Sequence, residues 1–294
     1  MEILVKVYNT EDLDLYYRKN VDGFIIGGPF SNLFNFTFED IENIIAYCKR
    51  KCLDVYVWID KLIEEKDKED LYLYIDYLYK LDVNGIYFTD LAILDYCRTY
   101  NKVDKLIYNG DKLMCNLLDK QFFLLQGLKG VLISNELSLK ELNEMLSSNV
   151  NNNDLVIGGH ILLSSSRRKF MSNYFRESGL TYNVVGNENY TIREESRNYY
   201  MPIIEIENGT LIYSDYVLQM LDELPYLKNK ITRGIIETKF ENKDLLCDLI
   251  TAYRALNTEN FIEIKKQLLS NYLTTNFSSG YLYENVSSEK VENE

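Results

Sequence analysis

Apolar residues recur along this chain in short runs that alternate with longer amphipathic stretches. The runs Ile3–Tyr8, Gly23–Gly28, Val55–Asp60, Gly85–Asp90, Lys105–Asn109, Gly130–Asn135, Leu155–His160 and Thr232–Thr238 are rich in branched and aromatic residues, the pattern of buried strands. Helical spacing is seen between them in Glu11–Lys19, Phe38–Lys51, Lys68–Leu81, Leu91–Tyr100, Asp119–Leu128, Leu139–Ser148 and Tyr216–Leu227. A further helix, Lys243–Leu256, follows the last strand. Thr37-x-x-Asp40 resembles a capping box and Ser138-x-x-Glu141 is one, so both mark helix entries. Strands alternating with helices of this length require parallel pairing, because antiparallel neighbours need only a hairpin. Eight such units predict an α/β fold, a TIM-like (β/α)8 barrel. A doubly wound open sheet is the alternative, since periodicity alone does not separate the two.

One stretch breaks the rhythm. Residues 161–214 form a long insertion between strand seven and its helix. It opens with Ser164-Ser165-Ser166-Arg167-Arg168-Lys169 and ends in a predicted hairpin, Ile203–Ile206 and Thr210–Tyr213, with Asn208-Gly209 as the turn. Loops this long are functional or disordered, and this one carries too much Tyr, Phe and Ile for a linker. The chain divides into a barrel domain, 1–257, and a C-terminal helix (Phe261–Leu269) with a polar tail, 258–294. Its last stretch, Val286–Glu294, is expected to be mobile.

Composition narrows the class. A length of 294 residues suits one barrel, and 46% hydrophobic content suffices for a continuous core. No apolar run is long enough to span a membrane, and the N-terminus reads as a strand rather than a signal peptide, so a cytoplasmic protein is expected. The five cysteines (Cys48, Cys52, Cys97, Cys115, Cys247) are scattered without a C-x-x-C pair. Reduced thiols are expected rather than metal ligands or disulfides, with Cys48 and Cys52 sharing a helix face. A net charge of −13 argues against a freestanding, high-affinity nucleic-acid binder and leaves contact through a local basic patch or a partner. The 25 tyrosines fall mostly on helical stretches, where packing is the expected role.

Standard catalytic signatures are missing, and His160 is the only histidine. Position is therefore more informative than motif. In barrel enzymes, polar residues at the C-terminal ends of strands face the active-site mouth. Those ends offer Asp60, Asp90, Asn109 with Asp111, Asn135 with Glu136, His160 and Glu237. His160, Glu136, Glu237 and Asp60 are the catalytic candidates. Between Arg167 and Arg197 the insertion holds six basic residues against four acidic ones, in a chain that is otherwise strongly acidic. Loops after strands seven and eight commonly hold anions in barrels, and Arg suits carboxylate or phosphate. Arg167, Arg168 and Lys169 thus form a candidate anion site; a solvated loop with internal ion pairs is the alternative.

Several of these segments also share a family likeness. Gly158-Gly159-His160 followed by Ser166-Arg167-Arg168-Lys169-Phe170-Met171-Ser172-Asn173-Tyr174-Phe175 resembles the central motif of the collagenase-like (PrtC-type) peptidase family. Val131–Leu139 is similar to its strand-six segment ending in Glu-Leu-Ser. Gly209-Thr210 with Ser214-Asp215, Ile236-Glu237, and Asn276-Phe277 with Gly280-Tyr281 follow in the family's order. The resemblance implies a TIM-like barrel; Asn173 and Asp215, within its motifs, and Asn109, at a strand end, complete the expected substrate- or anion-binding residues. Members carry the name of peptidases, yet related proteins act in ubiquinone hydroxylation and in tRNA hydroxylation, where wobble uridine becomes 5-hydroxyuridine with prephenate. Short forms similar to this one, from low-GC Gram-positive bacteria, accompany a longer paralogue.

The departures from the family are equally informative. Many relatives hold an iron–sulfur cluster with four cysteines around the His motif. Here Ser and Arg stand in that loop, and no cysteine lies between Cys115 and Cys247. Ile235 and Thr238 occupy places where relatives often have Lys and Gly. The resemblance therefore implies a chain that binds no cofactor or metal alone. It would act as a non-cluster subunit of a tRNA-hydroxylation system beside a longer, cysteine-bearing paralogue, with tRNA and prephenate as partners and no membrane. The alternatives are a peptidase of unknown catalytic type and a non-catalytic scaffold.

Overall fold

The computed structural model describes residues 1–33, 36–147, 152–195 and 198–284; Arg197 and the expected mobile stretch Val286–Glu294 lie outside the described residues. In chain order the first half contains β1 (Glu2–Lys6), α1 (Leu13–Tyr17), β2 (Gly23–Ile26), α2 (Phe38–Lys51), β3 (Asp54–Ile59), α3 (Lys68–Leu81), β4 (Gly85–Phe88), α4 (Leu91–Thr99) and β5 (Leu106–Asn109). Then come α5 (Leu117–Leu125), β6 (Gly130–Leu132), α6 (Leu139–Leu146) and β7 (Asn153–Gly159). The insertion supplies β8 (Leu162–Ser166), α7 (Phe170–Glu177), β9 (Thr191–Ile192), β10 (Met201–Ile206) and β11 (Gly209–Tyr213). After it run β12 (Val217–Gln219), α8 (Leu224–Leu227), β13 (Arg233–Ile236), α9 (Lys243–Arg254), α10 (Phe261–Asn271) and β14 (Phe277–Ser278).

Strands β1 to β7 pair in sequence and in parallel, and β13 pairs in parallel with both β7 and β1. The sheet is therefore closed. Eight parallel strands with intervening helices make the TIM-like barrel, not the open sheet. Both predicted capping boxes form: Thr37 accepts from Asp40 N and Ser138 from Glu141 N, with the carboxylates reaching back. The N-terminal end of the barrel is closed by a buried polar cluster. Arg233 Nε lies 2.9 Å from Asp154, Tyr87 donates to Asp154 at 2.7 Å, and the guanidinium sits 5.5 Å from the Tyr56 ring centre.

Three local expectations are corrected. Tyr216–Leu227 is not one helix. β7 runs on to Gly159, and β12 covers its extension in antiparallel register, Leu218 opposite Gly159. Val217, Leu218, Met220 and Leu221 are all buried beneath it, and Pro225 in the first turn of α8 delays the helix to Leu224. The hairpin turn falls on Glu207-Asn208 rather than Asn208-Gly209, because Ile206 pairs with Gly209. A Cβ on Gly209 would lie 2.0 Å from the Ser166 carbonyl oxygen of β8, so glycine serves strand packing there. Cys48 and Cys52 do not share a face: Cys52 takes a left-handed C-cap conformation and is exposed while Cys48 is buried.

The insertion folds into an antiparallel sheet in the order β8-β11-β10-β9 that sits over the barrel mouth. Its two faces follow strand alternation. Ile203 packs with Met171 and Val184, with Ile212 and Phe175 against them, while Ile204, Leu211 and Tyr213 pack with Leu33 and Phe240 from barrel loops. The C-terminal segment continues the barrel core: β14 pairs with β12, and Leu268 and Leu282 join the main apolar cluster. Among the described residues, no helix is long and apolar enough to cross a membrane.

Candidate functional site

The C-terminal ends of the barrel strands surround a cavity of about 190 Å³ under the insertion. Lys6, the last residue of β1, lies against its floor. Its ammonium is 3.1 Å from Glu237 and 3.5 Å from the centre of the Trp58 ring. Glu237 also accepts from the Tyr8 hydroxyl at 2.6 Å and from Lys239 N at 3.1 Å. Burial and Glu237 together push the Tyr8 phenol far above the ordinary tyrosine range. A buried carboxylate with a cation and two further donors is compensated by them, and the three contacts hold Glu237 in place.

The opposite wall carries a second ion pair, Lys112 to Glu136 at 2.8 Å, and Lys112 also donates to the Leu163 carbonyl of β8. Asp60, just past β3, accepts from Asn32 N at 2.8 Å; burial raises its carboxyl, against the opposing pull of Asn32 and Lys6. Asp111 takes a left-handed φ of 52°, tied down by its N–H to Asn109 Oδ1 at 3.0 Å. Its carboxyl is raised too, by burial first and then by the Glu136 and Asp60 charges, against Lys112 and Lys6. Four carboxyl groups thus meet two lysines in this lining, and each lysine is paired.

His160 lines the same cavity as a clasp. Its Nδ1 lies 2.8 Å from the Ser214 carbonyl oxygen, which can only accept, so Nδ1 carries the hydrogen; Nε2 lies 3.6 Å from Glu241. Ser214, buried at the return of the insertion, also accepts from Ile161 N at 3.0 Å. The preceding Gly159 has φ +91°, and a Cβ there would lie 1.9 Å from the Glu237 carbonyl oxygen. Glycine is required for the backbones of β7 and the loop after β13 to approach.

Of the strand-end candidates, Asp60, Asn109, Asp111, Asn135, Glu136, His160 and Glu237 converge on this cavity. Asp90 does not: it caps α4 by accepting from Ala92 N. In the basic segment, Arg167 pairs with Glu64 at 3.1 Å and lines a cleft of about 250 Å³ that adjoins the cavity through Asn32, Asp60, Leu62 and Ser165. Arg168 and Lys169 are exposed on the approach to α7, Asn173 accepts from Arg176, and Asp215 accepts from Asn276 through its carbonyl; none of the four lines the cavity or the cleft. The N-terminus of α7 already has its anion. The fully buried Glu205 carboxylate accepts from Ser172 N at 2.9 Å and from the Ser172 hydroxyl.

Sequence reasoning missed Lys6, Trp58, Lys112 and Tyr213, which also line the cavity. A lysine inside the otherwise apolar run Ile3–Tyr8 is the signal that could have found the first. The cysteines do not fit a cluster: Cys48, Cys97 and Cys247 are buried on three separate helices, and among the described residues no group of three or more His, Cys, Asp or Glu could hold a metal.

The order of motifs along the chain and the closed barrel agree with one comparison above all. A family model for peptidase family U32 matches residues 9–292. The chain belongs to peptidase family U32. The resemblance to collagenase-like peptidases is thereby borne out. The U32 peptidase Mk0906 has the same fold at 14% identity and a TM-score of 0.53, covering 82% of this chain and 94% of that one. The tRNA hydroxylation protein P2 of Bacillus subtilis (strain 168) is 22% identical over 246 residues, 82% of this chain and 79% of P2. The tRNA hydroxylation protein P1 of the same strain is 26% identical over 177 residues, 59% of this chain but 42% of P1. The chain therefore spans less than half of P1, the longer of the two.

Proposed function

We propose that this chain acts in tRNA hydroxylation, as the shorter subunit beside a longer paralogue. The observation that carries the reading is the double match: this chain is similar to two Bacillus subtilis proteins each named for tRNA hydroxylation and is closer in extent to the shorter. The reaction is the 5-hydroxylation of wobble uridine with prephenate, and the longer, cysteine-bearing partner supplies the iron–sulfur cluster for which this chain lacks converging thiolates. The barrel mouth, with the Lys6–Glu237 pair, His160, Asp60 and Glu136, is the site this chain contributes. Arg167, in the adjoining cleft, meets an anionic group outside the acidic cavity. Its pair with Glu64 is exposed, and such pairs contribute little and exchange readily for a better anion.

Nucleoside mass spectrometry of tRNA from a strain lacking this chain tests the reading. Loss or a marked fall of 5-hydroxyuridine-derived nucleosides is expected; unchanged levels would refute it. Co-purification from the native strain tests the pairing, with the longer paralogue expected in the complex.

A further inference from the structure

Helix α5 turns its apolar side outward. Leu118, Phe122 and Leu125, spaced i, i+4 and i+7 on one stripe, are 77%, 53% and 84% exposed. Lys120, the one basic residue of the helix, points inward instead and is completely buried. Its ammonium engages the Met145 carbonyl of α6 at 2.8 Å, which leaves the outer stripe without a cation. Leu113, in the turn just before the helix, is exposed as well. Single exposed leucines are ordinary, but an apolar stripe along the whole length of a helix whose lysine lies inside marks an interaction face.

Charge selects what covers it. The chain carries −13 overall, so a second copy is repelled at most approaches. Around α5 the balance is even. Asn116 and Gln121 beside the stripe are uncharged, and Asp119 is the one charge the helix exposes. Exposed Asp95 and Arg98 lie three residues apart on α4, and exposed Lys140 and Glu144 lie four apart on α6. Because β4, β5 and β6 are neighbours in the barrel, α4, α5 and α6 stand side by side on its outer wall. A two-fold axis that sets α5 antiparallel to α5 of another copy also sets α4 against α4 and α6 against α6. Each acid then faces a base of the other copy, Asp95 to Arg98 and Glu144 to Lys140, and Leu118 meets Leu125 on either side of Phe122.

We propose that α5, flanked by α4 and α6, is the interface through which two copies of this chain form a symmetric dimer. The stripe supplies the apolar centre, and Asp95, Arg98, Lys140 and Glu144 supply the polar rim. The face lies on the side of the barrel, so pairing leaves the mouth and its insertion open. The inference therefore stands apart from the tRNA reading and does not depend on it.

Sedimentation of the purified full-length protein over a concentration series tests it. A mass of two chains is expected at the upper concentrations. Leu118→Glu/Leu125→Glu changes exposed positions only, so it should stay folded by circular dichroism while the dimer dissociation constant rises at least roughly a hundredfold. Asp95→Arg should weaken the dimer by roughly threefold to tenfold, and Asp95→Arg/Arg98→Asp, which exchanges the two charges, should recover it. A one-chain mass throughout the series, a dimer unchanged in Leu118→Glu/Leu125→Glu, or a charge exchange that fails to recover the loss in Asp95→Arg would each overturn the proposal. So would a monomer that loses capture of the longer paralogue in Leu118→Glu/Leu125→Glu, since the face would then belong to that subunit. Should the leucine variant fail to fold, the Asp95 and Arg98 series decides alone.

Discussion

Lys120 of α5 is completely buried, and its ammonium donates at 2.8 Å to the Met145 carbonyl at the C-terminal end of α6. A cation suits that helix end, but burial lowers its pKa to about 8. The unfolded chain therefore holds this proton more tightly than the folded one between about pH 8 and the ordinary lysine value. Stability contributed by this residue rises with pH across that window. Urea midpoints of the natural chain should gain on those of Lys120→Met as pH goes from 7.5 to 10, and a constant difference would contradict the assignment. The Arg233–Asp154 pair behaves differently, since removing one member strands the other. Arg233→Met should cost about 3–5 kcal/mol in denaturant unfolding, with Arg233→Met/Asp154→Leu recovering most of it.

At the scale of elements, the strand and helix runs were legible because apolar periodicity and capping residues are local. Thr37 and Ser138 announced α2 and α6 directly, and Thr37→Ala should lower unfolding stability by about 0.5–2 kcal/mol. What failed to show was decided by contacts distant in sequence. β12 is a strand because β7 overruns the barrel and offers it an edge, and Gly209 is a strand residue because Ser166 of β8 passes close. Gly159 joins element to site. Gly159→Ala adds a positive-φ penalty to a collision with the Glu237 carbonyl, so it should destabilise by more than about 1 kcal/mol, seen as a lowered thermal midpoint. It should also disturb binding at the mouth, since His160 and Glu237 flank the contact.

For the whole molecule, counting strand–helix units predicted a barrel with the open sheet as alternative, and the pairing of β13 with both β1 and β7 decides for the barrel; strand ends were enough to nominate most of its mouth. The exceptions are physical. Asp60 follows β3 by one residue and Asp90 follows β4 by two; with Ile59 paired to Phe88, Thr89 takes the place beside Asp60 in the cavity lining and Asp90 turns to cap α4. Lys6 and Tyr213 escaped notice because charge in a strand and aromatics in an insertion read as packing until closure brings them together. The basic segment reversed its meaning: its residues lie mostly outside, and the α7 terminus is neutralised internally by Glu205. What remains is an acidic, ion-paired mouth in a chain of net charge −13, which fits a subunit that shares its polyanionic substrate with a partner.

The central claim is that this mouth serves tRNA hydroxylation, and complementation measures it most directly. A strain lacking the chain would receive the natural sequence, Glu237→Gln or Asp90→Ala, and its tRNA would be analysed by nucleoside mass spectrometry. Glu237→Gln withdraws the charge that compensates buried Lys6 and should restore hydroxylated uridine at least roughly tenfold less well. Asp90→Ala, which removes the cap of α4 and a hydrogen bond from Ile63 N but no group lining the cavity, should restore it as the natural chain does. Full restoration by Glu237→Gln, or hydroxylation that persists without the chain, would contradict the account.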